Sequence, residues 1–174
     1  MRRVFGLLLL VSAGFFAQAQ QMEFPVIKEY GGVANFETIE KPTTGGKILM
    51  DLTTGSTTKS GINKGWERVA RMINLYALAG ITTDDLEIVV IVHGEGTRSI
   101  LTDEAHQAKY GTNNPDLPVI KAVQLAGVDV KVCSQAIVHR GFTIEGVDDS
   151  VALTLSAITT LVEYQQKGYA VIYL

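Results

Sequence analysis

The chain has 174 residues, 47% hydrophobic and 19% charged, with 17 glycines, one cysteine and a formal net charge of −3. Such a composition suits one globular domain with a proper core and excludes a disordered chain. A mildly acidic surface with no basic run argues against nucleic acid as a partner, and one cysteine cannot make an internal disulfide.

Residues 1–19 read as a secretory signal peptide. Arg2-Arg3 give a basic start, Val4–Phe16 an apolar core, and Ala17-Gln18-Ala19 a small-x-small cleavage site. The mature chain is expected to start at Gln20, exported to the periplasm or secreted, with a formal charge of −5 once Arg2 and Arg3 are removed. No cysteine follows the cleavage site to take a lipid anchor. No later apolar run is long enough to span a bilayer, so no membrane association is expected after cleavage.

Residues 20–46 carry no periodicity. Pro25, Gly31-Gly32, Pro42 and Gly45-Gly46 punctuate them, and Phe24, Val26, Ile27, Tyr30 and Phe36 are scattered apolar anchors. This segment is expected to be an N-terminal arm lying on the domain of residues 47–174 or on a neighbouring subunit.

Within that domain, Lys47–Leu52 reads as a short strand and Thr53–Gly61 as a loop. Trp66, Val69, Ala70, Ile73 and Ala77 recur at helical spacing up to a stop at Gly80. Leu86–Val92 is nearly continuous in apolar residues, as a strand covered on both faces in a parallel sheet would be. A short helix is expected over Ser99–Lys109, with His106 on a solvated face beside Asp103, Glu104 and Lys109. Asn114 and Pro115 read as cap and first residue of a helix that Gly127 closes. Val151–Leu155 is a strand, Ala157–Lys167 a helix stopped by Gly168, and Tyr169–Leu174 a last strand. Strands and helices alternate, which predicts an α/β fold with a parallel sheet.

The stretch that carries chemistry is Val128–Phe142. Val128, Val130 and Val132 alternate with Asp129 and Lys131 as a strand, and a short helix follows from Ser134 to His139, closed by Gly141. Cys133 sits at the joint. The carboxyl end of a parallel strand faces the mouth of the sheet, and a helix start there favours thiolate over thiol. Two readings stay open: a reactive thiol, or a small buried hydrophobe that is chemically silent.

The other motifs carry less. Gly55–Gly61 lacks the Walker spacing, and Ser99 stands where the dinucleotide fingerprint after Gly94-Glu95-Gly96 needs its third glycine. No cofactor is therefore expected. His93, His106 and His139 do not pair at metal-ligand spacing, so no metal is expected either. His139, about 240° around a helix from Cys133, is expected to point elsewhere, and Arg140 to return to the same face roughly 10 Å along the axis. If the strands ending at His93 and Cys133 are neighbours, their ends lie about 5 Å apart, close enough for an imidazole to activate the thiol; the other reading of His93 is an ordinary hydrogen-bonded strand-end histidine. Ser134, Gly94 and Arg140 are the candidate binding residues around this pair.

Cys133-Ser-Gln-Ala-Ile-Val-His-Arg140-Gly141 resembles the cysteine segment of DsrE/DsrF-like proteins, which include the TusD-type sulfur carriers. Ile62-Asn63-x-Gly65-x-Glu67-Arg68-Val69-Ala70-Arg71 with Asn74-Leu75-Tyr76, then Val92-His93-Gly94, Asn114-Pro115, Gly168-Tyr169-Ala170 and the arm Pro25–Gly31 are similar to the exported branch of that family. The resemblance implies a three-layer α/β/α domain with a five-stranded parallel sheet of order 4-3-2-1-5, assembled into homotrimers or hexamers. It also implies a persulfide on Cys133, its sulfane sulfur received from a sulfur donor and handed to an acceptor thiol. The relay members are cytoplasmic, whereas an export segment opens this chain, so their donors and acceptors do not carry over. The competing expectation is a non-enzymatic homo-oligomer that binds a small ligand or partner, with Cys133 silent.

Overall fold

The computed structural model describes residues 21–174, so the export segment expected over residues 1–19 lies outside the described residues. Two short strands lie in the arm, β1 (Met22–Glu23) and β2 (Val33–Ala34). The domain follows as β3 (Gly46–Leu52), α1 (Lys64–Leu78), β4 (Leu86–Val92), α2 (Asp103–Tyr110), α3 (Leu117–Leu125), β5 (Asp129–Cys133), α4 (Ser134–His139), β6 (Ala152–Thr154), α5 (Ala157–Gln166) and β7 (Ala170–Tyr173).

The five domain strands form one sheet in the order β6-β5-β4-β3-β7, every neighbouring pair parallel. Numbered within the sheet, that is 4-3-2-1-5, and β4 is central. Its run Leu-Glu-Ile-Val-Val-Ile-Val is buried from Ile88 onward because helices cover both faces. On one face Ile48, Met50, Leu52, Val90, Val92, Val130 and Val132 pack against Trp66, Val69 and Ile73 of α1 and Val119, Ile120 and Val123 of α3. The other face is thinner. Leu49, Val89, Ile91 and Cys133 meet Ala157, Leu161 and Tyr164 of α5. Each fully buried aliphatic side chain stabilises the fold by about 1.5–3 kcal/mol, so the α1/α3 face carries most of the core energy. Leu155, Ile158, Val162 and Tyr173, near α5 and the sheet edge, remain exposed.

The arm lies along α1, and one polar side chain holds it there. Asn74 Oδ1 accepts from the N–H groups of Val26 (3.0 Å) and Ile27 (2.9 Å). Its Nδ2 donates to the carbonyls of Ile27 (3.1 Å), Tyr30 (3.0 Å) and Gly31 (3.2 Å). Gly31 has φ +61°, and a Cβ there would stand 2.1 Å from the Arg71 nitrogen, so no other residue fits. Of the five anchors read from the sequence only Ile27 is buried; Val33, not among them, is buried as well.

Three expectations need correction. The helix expected over Ser99–Lys109 is instead a 3-10 stretch, Gly94–Ile100, followed by α2. Ser99 is the reason: its hydroxyl donates to Gly96 O (2.7 Å) and accepts from Trp66 Nε1 (2.9 Å), which holds it in the first stretch. His106 is buried on α2, its Nδ1 2.7 Å from Thr112 O and its ring against Tyr110, not on a solvated face. The helix expected from Asn114 begins at Leu117. Asn114 is spent on the loop, donating to Ser99 O and Leu101 O while its own Oδ1 accepts from Asp116 N. Among the described residues no helix is long and apolar enough to cross a membrane.

Candidate functional site

The register of the sheet builds the site. Val92 pairs with Val132, so the next residues, His93 and Cys133, stand beside each other at the carboxyl ends of β4 and β5. Side chains alternate along a strand. With Val92 and Val132 on the α1/α3 face, His93 and Cys133 fall on the α5 face. Adjacent strands lie about 4.8 Å apart, which brings imidazole and thiol to one place.

Cys133 is extended, with φ −72° and ψ 114°, and caps α4: its Sγ accepts from the Ala136 N–H at 3.4 Å. It is 5% exposed, and that small surface opens onto a cleft of about 580 Å³. His93 and Gly94 form one wall, Gln135, Ala136, His139 and Arg140 of α4 a second, and Ser156, Ala157 and Ile158 at the head of α5 a third. The mouth of the sheet is where α/β folds place ligands.

Gly94 has φ +57°, which turns the chain sharply after His93. Gly96 serves packing, since a Cβ there would meet Leu52 Cδ2 at 2.6 Å and Leu52 O at 2.8 Å. Arg140 reaches across to Glu95, Nη1 to Oε1 2.5 Å, so its charge at the rim is already matched. The loop Gly55–Gly61 folds back on itself through Thr58 N–H to Ile62 O and Gly61 N–H to Thr58 O.

Of the candidates read from the sequence, Cys133, His93, Gly94 and Arg140 come together on this cleft, while Ser134, the first residue of α4, is not on its wall. His139 does line it, against expectation. The angular count failed because Cys133 lies outside the helix, so a helical angle measured from it has no meaning. Among the described residues His93 hydrogen-bonds not to Cys133 but to another strand, as an ordinary strand-end histidine would. His93 Nε2 is 2.6 Å from Asp51 Oδ1, on the next strand in the other direction. Asp51 was missed, although one signal was present: it is in phase with Leu49, so a carboxylate occupies an inward position of β3. Ser156 and Ile158 come from a distant helix and left no local signal. Among the described residues, no group of three or more His, Cys, Asp or Glu side chains is placed to hold a metal ion.

A solved structure with a similar fold is a protein of unknown function from Methanobacterium thermoautotrophicum. It has a TM-score of 0.54 and 15% identity, covering 75% of this chain and 99% of that one. No match is found among curated proteins. The model of the DsrE/DsrF-like family matches residues 47–174, the whole of the domain that carries the sheet and the cleft. By that match, the chain belongs to the DsrE/DsrF-like family.

Proposed function

We propose that this protein handles sulfane sulfur at Cys133, as a persulfide carrier or a sulfurtransferase-like protein working between a donor persulfide and an acceptor thiol. The observation that carries the reading is the position of the thiol. It stands at the carboxyl end of a parallel strand, on the wall of an open cleft it shares with His93, in a member of the DsrE/DsrF-like family. A persulfide adds one sulfur atom to the side chain, and the cleft has room for that atom and for the approaching end of a donor. The Ala136 N–H, 3.4 Å from Sγ, gives an anionic sulfur a donor. In the forward step the thiolate attacks the outer sulfur of a donor persulfide, the donor S–S bond breaks, and the donor leaves as a thiol. Delivery to an acceptor is the same exchange in reverse.

The reading extends to an exported chain that starts near Gln20 and to a homo-oligomer. Leu155, Ile158, Val162 and Tyr173 support the second, being more apolar surface than one thinly covered face needs to expose.

One observation favours the silent-cysteine alternative: Cys133 is only 5% exposed. Alkylation separates the two. A carrier thiol reacts with iodoacetamide in the folded protein, whereas a silent one reacts only after denaturation.

A further inference from the structure

A buried carboxylate without a structural partner is unusual, and Asp51 is nearly that. It is 5% exposed, on the sheet face that otherwise carries Leu49, Val89 and Ile91. Among the described residues neither a lysine nor an arginine pairs with it, and the hydrogen bond its side chain makes is with His93 Nε2, at 2.6 Å. A carboxylate only accepts hydrogen bonds, so the proton between them belongs to Nε2. That assignment leaves Nδ1 with the ring's lone pair. Nδ1 has no hydrogen-bond partner among the described residues, and the ring is partly open to the cleft on which Cys133 lies.

We propose that Asp51 is a positioning residue: it holds His93 as the Nε2–H tautomer so that Nδ1 faces the chemistry as the base for the Cys133 thiol. The order carboxylate, imidazole, thiol runs across three adjacent strands, with Asp51 on β3, His93 one residue past the end of β4 and Cys133 the last residue of β5. The other charged or titratable groups of the cleft are less suited. Arg140 is bound to Glu95, and His139 sits on α4 without a carboxylate partner among the described residues.

The pair gives the sulfur step its proton path. Nδ1 takes the Cys133 proton; the thiolate forms a bond to the outer sulfur of a donor persulfide and the donor S–S bond breaks. The proton returns from Nδ1 to the departing donor sulfur. One thiol and one persulfide enter and one of each leaves, so no outside oxidant or reductant is required. This step rests on the sulfur reading above, but the pairing of Asp51, His93 and Cys133 does not.

The test has two arms. In the unmodified chain, long-range proton–nitrogen NMR of the His93 ring should show a protonated Nε2 and a bare Nδ1. Asp51→Asn should abolish that preference, because an amide can also donate, and should slow iodoacetamide alkylation of native Cys133 on the order of tenfold. His93→Ala should slow it as much, and the double variant no further. A wild-type ring protonated on Nδ1, a native thiol that does not react, or an Asp51→Asn effect that persists in the His93→Ala background would each overturn the proposal. If Asp51→Asn does not fold, the wild-type tautomer alone decides. Sulfur loading is scored separately with glutathione persulfide. Failure to load with an intact Asp51-dependent alkylation removes the sulfur reading; loading that ignores Asp51 removes the pair.

Discussion

Replacing Asp116 by asparagine should change how stability depends on pH. Asp116 is 2% exposed, at the head of α3. Its Oδ1 accepts from the Asn63 N–H at 2.6 Å, while Asn63 Oδ1 accepts from Gly65 N at 2.7 Å and so caps α1. The carboxylate thereby ties the start of α1 to the start of α3. Burial lifts its pKa from 3.8 to about 6, against the lowering effects of the Asn63 N–H, Arg98 and His106. The folded chain therefore holds this proton more tightly than the unfolded one. The resulting stabilisation is complete below about pH 4, is lost as pH rises through about 6, and changes little above that. A shift of about two units corresponds to about 3 kcal/mol. Asparagine keeps the acceptor for the Asn63 N–H and carries no charge. Urea unfolding of both proteins from pH 4 to pH 7 should show the wild type losing about 2 kcal/mol of that relative to the variant, other carboxylates cancelling in the difference. A difference that stays flat with pH, or a wild type that gains on the variant as pH rises, refutes the reasoning.

Asn74→Ala removes five hydrogen bonds to the arm, at about 1 kcal/mol each less what water restores. Val26–Gly31 should then lose hydrogen-exchange protection and become open to proteases, with the sheet unaffected; retained protection would contradict the latch. Light scattering should give a mass of several chains, and Ile158→Lys with Val162→Glu should shift it toward one; a wild-type mass of a single chain contradicts assembly through this face. Expressed from its full sequence in a bacterium with a periplasm, the protein should appear in the osmotic-shock fraction with an N-terminus at or near Gln20. Recovery of chains that retain Met1 in the inner membrane contradicts export.

Much of the architecture was legible because burial leaves a period. Leu86–Val92 reads as an interior strand since both its faces are covered, and Val128, Val130 and Val132 announce β5 by alternation. The short helix after Cys133 ends where expected because Gly141, at φ +68°, takes the left-handed conformation that stops it. What escaped were contacts between residues distant along the chain. Asn74 looks like an ordinary polar residue of α1, yet its partners lie 43 to 48 positions earlier. The Asp51–His93 pair needs the register of β3 on β4, which no local pattern encodes. His106 carried charged neighbours that suggested solvent, but the Thr112 carbonyl and Tyr110 ring that enclose it follow only once α2 ends at Gly111. Cys133 was legible as a joint; the cleft that makes it a site needed α5, whose Ser156 and Ile158 close the far wall.

The most direct measurement of sulfur handling is the intact mass of the native protein after incubation with glutathione persulfide and removal of the donor. The wild type should gain one sulfur atom, lose it again to an added acceptor thiol, and Cys133→Ser, nearly isosteric and folded, should gain none. Sulfur that still loads onto Cys133→Ser, or a wild type that never loads and whose thiol resists alkylation until denatured, contradicts a carrier at Cys133.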